Sequence, residues 1–111
     1  MLDQAHDFFR ASGALTAIEY KDVIEAQLRT YLKGGFQLLS LNDFTGQGYA
    51  PVGILDPFWN TKGLITPEKW REFCAPTVAL LRFDKRALYN DEVFEGKAEI
   101  YKLWTYPIEK T

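Results

Sequence analysis

Apolar positions recur at helical spacing along the first third of the chain. Leu2, Ala5, Phe8 and Phe9 share one face of a short helix predicted over 2–12, with Gly13 as its stop. A second helix is predicted over 15–32. There Ile24, Leu28, Tyr31 and Leu32 fall on one stripe, with Ile18 and Val23 alongside. Glu25 and Arg29 form an i,i+4 pair on the wet side. Lys33-Gly34-Gly35 closes the helix through glycine's access to the left-handed region.

The period then changes. Phe36 to Leu41 is apolar except for Gln37 and Ser40, the pattern of a strand buried on both faces. Asn42 to Gly63 has no period, carries Pro51 and Pro57, and reads as a long loop of the kind that usually serves function. Thr66-Pro67-Glu68 is a helix start, with Thr66 as N-cap and Pro67 in the first turn. That helix carries Trp70 and Phe73 and ends before Pro76. Beyond it, 78–83, 87–89 and 97–103 read as short strands joined by turns at Asp84-Lys85 and Asn90-Asp91. The last alternates as a strand with one wet face does. An α/β part therefore runs over 1–76, and a β-rich part over 77–111.

Composition narrows the partners. A chain of 111 residues, 47% apolar and 25% charged, is ordered and holds one domain at most. A net charge of −2 with no basic block argues against nucleic acid. Cys74 is the sole cysteine, so no internal disulfide forms. No apolar run approaches the roughly 18 residues of a membrane span, and the acidic start Met1-Leu2-Asp3 is the reverse of a signal peptide. Aromatics at 15% supply both core area and faces on which sugars stack.

The order helix, glycine pair, buried strand, polar strand end, long loop and short helix is similar to the last βα unit of a (β/α)8 barrel, where ligand groups sit at strand C-termini. Particular residues sharpen the likeness. Gly34-Gly35-Phe36-Gln37-Leu38-Leu39, Leu41-Asn42-Asp43-Phe44, Gly46-Gln47-Gly48, Gly53-Ile54-Leu55-Asp56 and Trp59-Asn60-Thr61-Lys62-Gly63-Leu64-Ile65-Thr66-Pro67 resemble glycoside hydrolase family 2. That family includes β-galactosidase-like and β-glucuronidase-like enzymes, and the large bacterial members are the nearest in pattern. Asp7-Phe8-Phe9-Arg10-Ala11-Ser12-Gly13 and Pro76-Thr77-Val78-Ala79-Leu80-Leu81-Arg82-Phe83 also look like the family. The resemblance spans 1 to about 101, and 34–67 carries most of it.

The resemblance implies that 1–76 closes a glycosidase barrel and 77–111 opens the following β-sandwich. It implies a parent that hydrolyses a terminal β-linked sugar by the retaining route, often in the periplasm or outside the cell. Nothing here matches the family's two catalytic glutamates, so the chain alone is expected to be inactive. The tail Tyr101-Lys102-Leu103-Trp104-Thr105-Tyr106-Pro107 departs from the family.

Retaining glycosidases need two carboxyl groups roughly 5–5.5 Å apart. Asp43 and Asp56 are the loop acids available, and Asp56, before Pro57, reads as a turn former. No autonomous catalytic pair is expected. Asn42, Asp43 and Gln47 are the candidate sugar contacts; alternatively they satisfy backbone groups of the loop. Trp59 and Tyr49 either stack on a pyranose or pin the loop. His6 is the sole histidine, leaving no zinc site or triad, and no cofactor or metal is called for. The rival reading is a stand-alone, non-catalytic carbohydrate-binding or self-assembling module. In it, strand 36–41 would find neighbours by self-association or by docking on another chain, because its ladder partners are missing.

Overall fold

A computed structural model describes residues 2–32, 35–46, 48 and 50–103. Its dominant element is α1 (Ala5–Leu28), which follows a 3-10 turn at Leu2–Gln4 and runs unbroken through Gly13. The sequence predicted a stop there. Gly13 is buried, and a Cβ on it would lie 2.1 Å from Leu64 Cδ2. The glycine lets the loop approach the helix, at a helix-propensity cost of about 1 kcal/mol. The helix ends before the predicted glycines: Arg29 N–H reaches Glu25 O at 2.9 Å, and Leu32 takes φ 63°. Lys33 and Gly34 lie outside the described residues.

The predicted strand over 36–41 is a second correction. These residues form no ladder among the described residues, and Ser40 adopts φ 62°, which extended backbone does not. A strand is held by its neighbours' N–H and C=O groups, and among the described residues only Leu41, at the end of this stretch, meets any. Pairing starts there. Ile54 N–H and Leu55 N–H both donate to Leu41 O, at 3.0 and 3.1 Å, and Asp43 N–H donates to Leu55 O at 2.9 Å. The stretch 42–63, predicted as a long loop, contains a parallel bridge Asn42–Leu55 and antiparallel bridges Phe44–Ala50 and Leu55–Thr61.

The short helix α2 (Pro67–Arg71) starts as predicted, with Thr66 Oγ1 accepting from Lys69 N–H at 3.3 Å. It seats an aromatic cluster against α1. Trp70 meets Tyr20 and Phe73 edge-on, with centroids 5.8 and 5.1 Å apart, and Phe73 is 1% exposed.

Strands β1 (Thr77–Arg82) and β2 (Lys97–Lys102) pair antiparallel, with Val78 opposite Tyr101 and Leu80 opposite Glu99. Residues 87–89, predicted as a strand between them, are irregular. Val78 and Leu80 face inward and are buried; the other face carries Ala79, Leu81, Ala98 and Ile100. Reciprocal contacts join the helix end to the sheet. Arg29 Nη1 donates to Leu81 O at 3.2 Å, Arg82 Nη2 donates to Arg29 O at 3.0 Å, and Arg82 also grips Glu99 through two oxygens.

The apolar core among the described residues is small: Ile24, Ile54, Phe73, Val78 and Leu80. The Cα radius of gyration is 18.0 Å, against about 13 Å for a compact domain of this length. Accessible surface is 9761 Å², where a compact monomer of 12.8 kDa shows about 6,300 Å².

Candidate functional site

The polar end of the 41–44 segment is organised around Asp43, which is 2% exposed. Its Oδ1 accepts from Gly53 N–H at 2.8 Å and from Lys62 Nζ at 2.9 Å. The Lys62 ammonium also donates to Gly53 O at 3.0 Å and lies 5.9 Å from the centroid of the Phe9 ring. One ion pair therefore ties the 41–44 segment, the loop and α1 together. It exists because Gly53 has no side chain: a Cβ there would sit 2.3 Å from Asn42 C and 2.4 Å from Asp43 N. The two backbone segments touch.

Past Gly53 the chain turns sharply at Asp56. Its Oδ1 accepts from the N–H groups of Phe58 and Asn60, both at 2.8 Å, while Oδ2 accepts from Asn60 Nδ2 at 3.0 Å. Asp56 N–H donates to Asn60 O at 2.9 Å, and Trp59 N–H donates to Asp56 O at 3.1 Å. The turn former expected from the sequence is in place. The turn carries Trp59 at φ 70°, the residue 64% exposed, beside the exposed Phe58. Trp59 is thus exposed among the described residues. Backbone strain of this kind persists only where surrounding bonds hold it.

Asn60's side-chain amide, foremost, and the Asn60 and Phe58 N–H groups hold the Asp56 carboxyl below its ordinary value of 3.8. A carboxyl with a depressed folded-state pKa contributes stability above its unfolded value and loses it as pH falls through the folded one. The turn is therefore expected to loosen progressively below pH 3.8. The indole N–H resonance of Trp59 should move over that range, and Asp56→Asn should flatten the response.

The predicted contacts separate. Asp43 forms the ion pair with Lys62, a lock across the loop, Asn42 adjoins it with its Nδ2 donating to Asp43 O at 3.3 Å, and Trp59 stands apart at the Asp56 turn. Gln47 and Tyr49 lie outside the described residues. Asp43 satisfies loop backbone through Gly53, the alternative weighed against sugar contact. Lys62 was missed. The signal was present, because Asp43, Asp56 and Lys62 are the only charged residues between Asn42 and Gly63.

A cleft of about 860 Å³ lies elsewhere, between α1 and α2 over Ile18, Leu41, Ile54, Leu64, Trp70 and Phe73. Asn42, Asp43 and Trp59 do not line it. Its lining is mainly apolar, with Lys21, Lys69 and Glu72 among the polar residues that also border it. Among the described residues no cluster of three His, Cys, Asp or Glu side chains could hold a metal, and no helix is long and apolar enough to cross a membrane.

No family model matches this chain, and no curated protein matches it.

Proposed function

We propose that this chain is a segment of a glycoside hydrolase of the family 2 type. It would close the catalytic barrel, supply part of the sugar-pocket wall and open the sandwich that follows. The observation that carries the reading is the apolar surface left uncovered. Phe8, Phe9, Leu15, Ile18 and Val23 of α1 are exposed, and so are Leu81 and Ile100 on the outer face of the hairpin, Ile100 at 76%. Apolar area on that scale is what neighbouring elements cover in a complete domain. An amphipathic barrel helix buries such a stripe on adjacent helices, and a sandwich sheet buries such a face on its partner sheet.

In this reading residues 36–41 become a strand when neighbouring barrel strands supply their ladder, and the mainly apolar cleft beside Trp70 fills with side chains of the same barrel. The sugar-facing groups are Asn42 and Trp59, with Gln47 beside them in sequence; Asp43 stands beneath as the support of the wall. Chemistry belongs to carboxylates outside this chain, since a retaining hydrolase needs a nucleophile and an acid and no such pair occurs here.

An antibody raised to the chain, applied to source cells, tests this. The expected band is several-fold heavier than 12.8 kDa, and the purified protein hydrolyses a nitrophenyl β-glycoside. Trp59→Ala in it should raise KM more than it lowers kcat. A native band at 12.8 kDa would overturn the proposal and leave the stand-alone carbohydrate-binding or self-assembling module.

A further inference from the structure

We infer that Lys62 is the positioning residue of this site: its ammonium, closed on Asp43 and on Gly53 O, sets where the Trp59 turn stands relative to Asn42. The inference deepens the sugar-wall reading and rests on it only for what the wall binds.

Three observations converge. First, Lys62 is nearly buried, with a side chain 9% exposed against 1% for Asp43. A lysine taken that far from water is normally a surface residue held in by specific partners. Second, its bonds go to both sides of one loop. Asp43 Oδ1 belongs to the 41–44 segment, and Gly53 O belongs to the returning segment whose own N–H also binds Asp43 Oδ1. The head group therefore closes a three-cornered arrangement in which each corner fixes the other two. Third, the Lys62 backbone follows Thr61, which pairs with Leu55 at the base of the Trp59 turn. Shifting Lys62 moves one leg of that hairpin, while the other leg stays tied to Leu41 and Asp43 through Ile54 and Leu55.

A salt bridge between exposed groups would carry no such inference, since its contribution is near zero. Here the geometry is enclosed, and the Gly53 contact with the backbone of Asn42 leaves no slack. Lysine suits the task because one compact ammonium offers several donors from the end of a flexible stem.

The test uses the full chain and no sugar, so a failed sugar-wall reading does not affect it. Amide and indole N–H spectra and hydrogen exchange would be recorded for Lys62→Met and Lys62→Arg beside the parent sequence. In Lys62→Met, the Gly53 amide should lose its shift and exchange roughly tenfold faster. The Trp59 indole should move as well, while Trp70, in the aromatic cluster, stays put. Lys62→Arg keeps the charge and should recover part of the Gly53 protection. If Lys62→Met unfolds the chain, the pair Asp43→Asn/Lys62→Met, which removes both charges together, should restore folding with Trp59 still displaced. Trp59 and Gly53 resonances unchanged in whichever of these variants folds would overturn the inference. So would equal movement of Trp70 and Trp59, which would mean general loosening.

Discussion

Asp43→Ala is expected to abolish the ordered loop. The substitution leaves the Lys62 ammonium buried with only Gly53 O and the Phe9 ring among the described residues. Breaking a buried pair by removing one partner costs about 3–5 kcal/mol. It also removes the acceptor for Gly53 N–H, and an orphaned buried donor adds about 1–3 kcal/mol. The pair belongs to one network, so the two figures overlap and do not sum. Against the marginal stability of small domains this is a large fraction of the total. The measurement is amide exchange at Gly53, Ile54 and Leu55 together with a urea titration. Asp43→Asn retains an acceptor oxygen and should fall between the parent and the alanine variant. An alanine variant as protected as the parent would refute a supporting role for the carboxylate.

Gly53→Ala should do comparable damage from a different cause. The added Cβ would meet Asn42 C, Asp43 N and Asn42 Cα at 2.3, 2.4 and 2.6 Å. All three are backbone atoms, so no rotamer change relieves the clash and the segments must part. Overpacking of this kind costs about 3 kcal/mol. Separation also stretches the bond from Gly53 N–H to Asp43 and the one from Lys62 to Gly53 O. The expected result is an urea midpoint well below that of the parent, and Gly53→Ser should be no better. Gly13 offers the contrast, because the atoms a Cβ would meet there belong to the Leu64 side chain, which has other rotamers. Gly13→Ala should therefore be the milder change, and its helix propensity gain works in its favour.

Local signals were legible where they were self-contained. The α2 cap needs only Thr66, Pro67 and the following turn, and the hairpin strands needed only their apolar runs. The misreadings arose where a residue answers to something distant in sequence. Gly13 looks like a stop, but it accommodates Leu64 across the fold. Phe36 to Leu41 has the composition of a strand, yet a strand is a property of its neighbours, and among the described residues only Leu41 at its end is met by any. At the site, the turn-forming role of Asp56 was readable because its partners lie within a few residues. The Asp43–Lys62 pair was not, since nothing local joins positions 19 apart.

The lock has a kinetic side as well. Its bonds close loops of only 10 and 19 residues, from Asp43 to Gly53 and from Asp43 to Lys62. Loops near the shorter length close in roughly 10–100 ns, and the entropy cost rises slowly with length. The contacts of Arg29 with Leu81 and of Arg82 with Arg29 join positions 52 and 53 apart, and long-range pairing is slow. The Trp59 turn is therefore expected to be among the first parts assembled, finished before the contacts of longer range.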